Sequence, residues 1–406
     1  MKSAAKRIAI RRCLLAASAL LLLGQASTGA RAQIKVGIEF GFTGPVEGIA
    51  PAMARSAELA LKEINDSGLL LDGKTSLVPV RVDSTCVDNA AATAAAERLV
   101  TTENVVAIVG TDCSGVAIGV VNNVVVPNGV VMISPSATSP ALSDIKSNGY
   151  FYRTAPSDAR QGQLLAKILR ERKIGRVAIS YTNNDYGKGF SDAFAAAFKA
   201  AGGRVTIAAA HDDGRGDYSA EVGALAAAGG EMLVVLGYAD QGGSGIIRAA
   251  LDSGAFSRFA FGDGLYSPSL IKAFGKSLDG SIGVVPSAEG KGAKKFAALA
   301  AASGVDASGA FTGQSYDAAA LIALAIQKAK SPDRKAIRDA ILSVANGPGE
   351  LIHAGELAKG LKILKEGGAI DYVGATSVQL TGQGDASGSY REYTIKNGEF
   401  QTVAFH

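Results

Sequence analysis

Residues 105–142 read VVAIVGTDCSGVAIGVVNNVVVPNGVVMISPSATSPAL. Val105–Val109 is an apolar run of strand length that stops at Gly110-Thr111-Asp112-Cys113-Ser114-Gly115, and helical spacing begins at about Ser114. A second apolar run, Val130–Ile133, stops at another turn of small residues, Ser134 to Thr138. Strand, helix, strand in that order predicts two parallel strands with their carboxyl ends on one sheet edge. Such edges are where open α/β sheets take ligands. Hydroxyls and the free N–H groups of a helix start favour an anion there, so a small carboxylate is the natural guest.

Outward from this stretch the same alternation continues. Strands are predicted at 34–38, 78–82, 176–181, 205–210, 232–236 and 258–261. Helices are predicted at 50–67, 89–101 (Asp88 as N-cap), 159–172, 189–201, 218–228 and 245–254. Two such β-α runs meet near 153–157. Beyond about residue 285 the pattern turns helical (294–303, 315–330, 334–346), with late strands at 377–380 and 389–396. That order suggests a return to the first lobe and then to the second: 33–153 and 286–376 against 154–285 and 377–406, with a hinge between them. Beyond the leader described next, 374 residues exceed one comfortable core, which also favours two lobes.

The first 32 residues read as a leader. Lys2, Lys6, Arg7, Arg11 and Arg12 form a basic start, Leu14–Leu23 a short apolar run, and Ala30-Arg31-Ala32 a cleavage site. The apolar run is shorter than the roughly 20 residues that span a bilayer. Export and a chain starting at Gln33 are expected. Six of the 41 Lys and Arg fall in this leader, which has no Asp or Glu. The remainder carries 35 basic against 37 acidic residues, so the basic balance belongs to the leader and a nucleic-acid partner loses its support.

Two cysteines follow the leader, Cys86 and Cys113, each just after a predicted strand. An even count in an exported chain permits a disulfide, the alternative being two buried thiols. His211, His353 and His406 are scattered and show no metal-ligand spacing. There is no G-x-S-x-G, no G-x-x-x-x-G-K-[ST] and no strand-linked G-x-G-x-x-G, and Gly187-Lys188-Gly189 is too short for a phosphate loop. No cofactor is called for, and an enzyme is the disfavoured reading.

From Ile34 onward the chain resembles the periplasmic substrate-binding proteins of branched-chain amino acid ABC transporters, the type I leucine/isoleucine/valine-binding class. The residues that carry the resemblance are Thr43-Gly44-Pro45, Cys86, Cys113-Ser114, Met132 to Thr138, Tyr181 to Phe190 (YTNNDYGKGF), Gly237-Tyr238, Gly262-Asp263-Gly264 and Ser308 to Phe311. Each is weak alone; their order and spacing are specific, and they cover essentially the whole chain after the leader. The resemblance implies an α/β type I periplasmic binding protein: two Rossmann-like lobes with parallel sheets, joined by a hinge of three crossovers and closing over an amino acid. It implies that Ser114 donates to the ligand α-carboxylate. The turn Ser136-Ala137-Thr138 would hold carboxylate and ammonium, and Asp263 would pair with the ammonium. Tyr186 and Tyr238 would meet the ligand on closure, Phe311 would line its side-chain pocket, and Cys86–Cys113 would be a disulfide. An ABC permease in the inner membrane is the implied partner, and a monomer the implied state.

The bland readings are an N-cap for Ser114, strand-end packing for Tyr186 and Tyr238, a turn for Asp263 and core for Phe311. Two positions depart from the class. Ile49 is aliphatic where an aromatic is usual. Asp112 stands in place of an apolar pocket residue, either as a turn residue facing solvent or capping the helix, or as a polar contact to the ligand side chain. The expected ligand is a branched-chain or other hydrophobic amino acid. The alternatives are a polar or cationic amino acid, an amide or a small organic acid, or a sensing role beside a signalling receptor.

Overall fold

The computed structural model describes residues 32–406; the expected leader, residues 1–32, falls almost entirely outside the described residues. Five strands form the first sheet: β1 (Ala32–Phe40), β2 (Thr75–Asp83), β3 (Ala107–Gly110), β4 (Val131–Ser134) and β5 (Phe151–Arg153), in the order β2-β1-β3-β4-β5. β3 and β4 are buried at every position, as strands covered on both faces must be. Their parallel register pairs Ala107 with Val131 and Val109 with Ile133. Both strands therefore end on the same edge, with the turns at 111–114 and 135–139 side by side.

The helices around this sheet follow from local chemistry. α1 (Ala50–Ser67) buries Met53, Ala54, Ala57, Leu61 and Ile64 on one stripe and stops at Gly68, whose left-handed backbone (φ 64°) suits glycine. α2 (Asn89–Glu97) starts where the Asp88 carboxylate accepts from the Ala90 and Ala91 N–H groups, the expected cap. Its last turn, 98–102, is widened, so the helix predicted to run on to 101 changes pitch first. α3 (Ser114–Val120) begins directly at the first turn.

The second sheet takes β6 (Arg176–Thr182), β7 (Arg204–His211), β8 (Met232–Leu236), β9 (Phe259–Phe261) and β10 (Ile282–Pro286), and is completed by β15 (Tyr390–Lys396) and β16 (Glu399–Phe405) in the order β16-β15-β10-β9-β8-β6-β7. From β7 to β10 this sheet is parallel, as expected, and two edge strands are added antiparallel: β15 to β10, and β16 to β15. A two-residue turn, Asn397-Gly398, joins β15, which matches the strand predicted at 389–396, to β16, which the sequence pattern did not reveal. Tyr181 lies beside Leu236, and Val235 beside Phe261, so β6, β8 and β9 also end on one edge. Among the helices here are α4 (Asp158–Glu171) and α5 (Asp185–Ala200). α5 starts four residues earlier than predicted because the Asn184 side chain caps the Gly187 N–H at 3.0 Å.

After β10 the chain returns to the first sheet. The helix at Thr312–Ala329 is buried almost all round and packs on α1 and on β3 and β4; a run of Ala and Leu with little polar face is what such a position requires. The return to the second sheet comes later than the predicted strand at 377–380. Two separate short pairs intervene, β11 (Glu350–His353) with β12 (Ile370–Gly374) and β13 (Gln379–Leu380) with β14 (Ala386–Ser387), and Tyr390 is the first residue to join β10. The chain thus passes between the sheets three times, after β5, after β10 and before β15. Among the described residues no helix is long and apolar enough to cross a membrane.

Candidate ligand site between the two sheets

The carboxyl edges of the two sheets meet across a narrow cavity. From the first sheet's side come Ile49, Asp112, Cys113, Ser114 and Ser136; from the second come Tyr186, Tyr238, Asp263 and Gly264; Phe311 and Val46 close the wall. Eight residues expected from the sequence are thereby gathered. Two others are not on this wall. Ala137 is fully buried; its N–H donates to Ser134 Oγ at 3.0 Å and its carbonyl accepts from Arg153. Thr138 is fully buried behind Ser136. The turn coils inward from Ser136 because the Arg153 guanidinium sits beneath it, donating to the carbonyls of Ala137 and Ser139 and pairing with Asp385 at 2.7 Å.

Ser114 opens α3, where the leading N–H groups have no intrahelical acceptor. Its hydroxyl oxygen accepts from the Ser139 N–H at 3.1 Å, which leaves its proton free to donate. Ser136 instead spends its proton on the Asp112 carbonyl at 2.9 Å, so it presents lone pairs. Cys86 and Cys113 form a disulfide that ties the loop after β2 to the start of α3.

On the opposite wall, Asp263 follows β9 and is buried. Its Oδ1 accepts from the Tyr186 hydroxyl at 2.5 Å and from its neighbour Gly264 N–H at 2.9 Å, while Oδ2 has no partner among the described residues. Burial raises the Asp263 carboxyl to about 6, against the lowering effect of the Tyr186 hydrogen bond. Burial and the adjacent Asp263 push the Tyr186 hydroxyl well up, which keeps it a donor. The Tyr186 ring stacks on Tyr238, with centroids 5.2 Å apart. Asp112 is turned inward, not to solvent: its oxygens accept from the Gly41 N–H at 2.7 Å and the Ser84 hydroxyl at 3.2 Å. Burial lifts this carboxyl too, to about 6.

Three groups were not singled out in the sequence. Asp158, the first residue of α4, is fully buried; neither of its oxygens has a partner among the described residues, and burial followed by the nearby Asp263 holds its carboxyl well above the ordinary range. Its sequence signal, Ser157-Asp158 at a helix start, is the one any cap would give. Arg153 reads as a strand-end cation. Glu39 is a lone acid in the otherwise apolar end of β1, a signal that was available; it is fully buried with both oxygens unpartnered among the described residues.

The cleft is held shut at two points. The Gly48 N–H donates to the Asp240 carboxylate at 2.9 Å, and Ser139 Oγ donates to the Asp185 carbonyl at 2.9 Å. His211 is buried beside Ser180 as a structural residue.

The model of the periplasmic binding protein family matches residues 33–348, and the chain belongs to that family, one of solute receptors and not of enzymes. A Leu/Ile/Val-binding protein of Rhizobium johnstonii is 34% identical over 174 residues, 43% of this chain and 46% of its own length. A leucine-, isoleucine-, valine-, threonine- and alanine-binding protein of Pseudomonas aeruginosa is 29% identical over 330 residues, 80% of this chain and 86% of its own. The chain thus spans about half the length of the first of these relatives and most of the second. In fold it is similar to a leucine-binding protein of Thermotoga maritima, with a TM-score of 0.76 at 22% identity over 92% of this chain and 98% of that one. The family's location is the periplasm.

Proposed function

We propose that this chain is a periplasmic receptor that takes an α-amino acid between two lobes and hands it to an ABC permease. One lobe is built on the five-stranded sheet and the helices after β10, the other on the seven-stranded sheet, with the three chain crossings as the hinge. A zwitterion needs donors at one end and an anion at the other, both buried and both paired, or desolvation outweighs the contacts. Ser114 and the first turn of α3 supply the donors. Asp263 supplies the anion, positioned by Tyr186. Ser136 flanks the ammonium end, with Thr138 buried off the wall in the same turn, Tyr238 covers it, and Phe311 and Ile49 meet the side chain. Asp158, near Asp263, is a second buried acid at the same end, its carboxyl held toward the neutral form.

The observation that carries this reading is the buried Asp263 on the cavity wall, with one carboxylate oxygen unpartnered among the described residues. A ligand ammonium is the group that would offset its burial. The test is a thermal-shift screen of the exported protein, stripped of co-purified ligand, against the common amino acids. Specific binding raises the melting temperature by mass action. No shift with any amino acid would refute the reading.

A further inference from the structure

The side-chain end of the cavity is not purely apolar. Val46, Ile49 and Phe311 line it, but so does Asp112, and no Lys, Arg or His is on the wall. The Gly41 N–H and the Ser84 hydroxyl donate to the Asp112 carboxylate, and the backbone N–H groups of Asp112 and Cys113 also favour its charged form, but among the described residues no side-chain cation pairs with it. The disulfide at Cys113 fixes the adjacent backbone, so Asp112 is not free to swing away.

Glu39 gives a second and independent sign. It lies on β1, opposite Gly110 in the parallel register, fully buried, with neither carboxylate oxygen partnered among the described residues. Burial and then the Asp112 charge raise its carboxyl well above the ordinary value. Asp112 on the wall thus has a second acid buried near it, itself off the wall, and no basic side chain lines this end. An aliphatic ligand side chain, closed in against Asp112, would strip water from a carboxylate and return no hydrogen bond, which is costly in a closed cleft. A side chain that ends in a donor would return one.

Resting on the amino-acid receptor reading, we propose that Asp112, backed by Glu39, selects α-amino acids whose side chain carries a hydrogen-bond donor, cationic or neutral, over aliphatic ones. The chemistry of recognition is an apolar stem along Ile49 and Phe311 with an N–H or O–H at its tip.

The test is isothermal titration of the ligand-free protein with matched pairs: threonine against valine, which share a shape, and glutamine, ornithine and lysine against leucine and isoleucine. The expected result is a donor-bearing ligand at least about tenfold tighter than the best aliphatic one. Asp112→Leu should invert that order. Asp112→Asn, which keeps an acceptor for Gly41, should stay folded and lose about tenfold or more for the cationic ligands. Aliphatic ligands binding as tightly as every donor-bearing one, with the order unchanged in Asp112→Asn, would overturn this inference and leave the receptor reading standing. Binding of no amino acid at all would overturn both.

Discussion

Replacing Asp263 by Asn should move stability and binding in opposite directions. In the ligand-free protein the buried carboxyl sits at about 6, raised from 3.8 by desolvation. A raised acid means that the folded state binds more protons than the unfolded one between those values, so its destabilising contribution is absent below about pH 4 and complete above about pH 6. The rise corresponds to about 3 kcal/mol at neutral pH. Asn keeps the acceptor for Tyr186 and Gly264 but carries no charge. Asp263→Asn should therefore stabilise the closed, empty form by up to about 3 kcal/mol at pH 7.5 and by about half of that at pH 5, with a smaller gain in overall unfolding to the extent that the empty lobes part. The same change leaves a ligand ammonium buried without its counter-ion, a loss of about 3–5 kcal/mol, or roughly a hundred- to several-thousand-fold in affinity. Urea unfolding at the two pH values gives the first quantity, and titration calorimetry the second. A variant that binds within threefold of the wild type would remove Asp263 from the site. One that loses affinity and stability together would show a structural acid.

Other residues make separate claims. Reduction of Cys86–Cys113, or paired Ala substitutions, should lower stability by about 2–4 kcal/mol in urea, and two free thiols by mass spectrometry in the exported protein would refute the bridge. A Cβ at Gly48 would come within 2.9 Å of Asp240 Oδ2 and 3.0 Å of Ser267 Oγ. Gly48→Val should therefore hinder closure, weakening binding by about tenfold (about 1.4 kcal/mol) while leaving ligand-free stability unchanged; unchanged compaction on ligand addition in small-angle scattering would contradict this. Arg153→Met strands Asp385 and the carbonyls of Ala137 and Ser139, and should cost about 3–5 kcal/mol of stability, with the loss of binding following from the displaced turn; wild-type unfolding and affinity would dismiss that role.

Much of this arrangement is legible in residues 105–142, because two strands covered on both faces are apolar throughout and their carboxyl ends must then carry the polar turns. Helix starts were readable where a side chain caps, as at Asp88, and misplaced where the cap was overlooked, as at Asn184. β16 and the brief β5 were harder, since three to seven residues hold too little period to distinguish strand from loop. Among the site residues, those at strand ends were recognisable by place. Ala137 was not: that its polar atoms turn toward Ser134 and Arg153 depends on a buried guanidinium supplied by β5. Asp158 and Glu39 were hidden for the converse reason, because burial by distant chain segments, not local pattern, makes them unusual.

That burial also bears on how such a receptor would work. Asp112 and Asp263 are buried on the wall of the closed cleft, with Glu39 and Asp158 buried near them, and in each case burial is the first cause that raises the carboxyl. A closed cleft without a cation therefore carries an electrostatic penalty that water relieves when the lobes part. A ligand ammonium removes part of that penalty only when the lobes are together. A ligand shifts a conformational equilibrium by no more than its difference in affinity for the two states. On the proposed reading, the unpartnered acids are what makes that difference large: the groups that weaken the empty closed form are those that the ligand neutralises in the filled one.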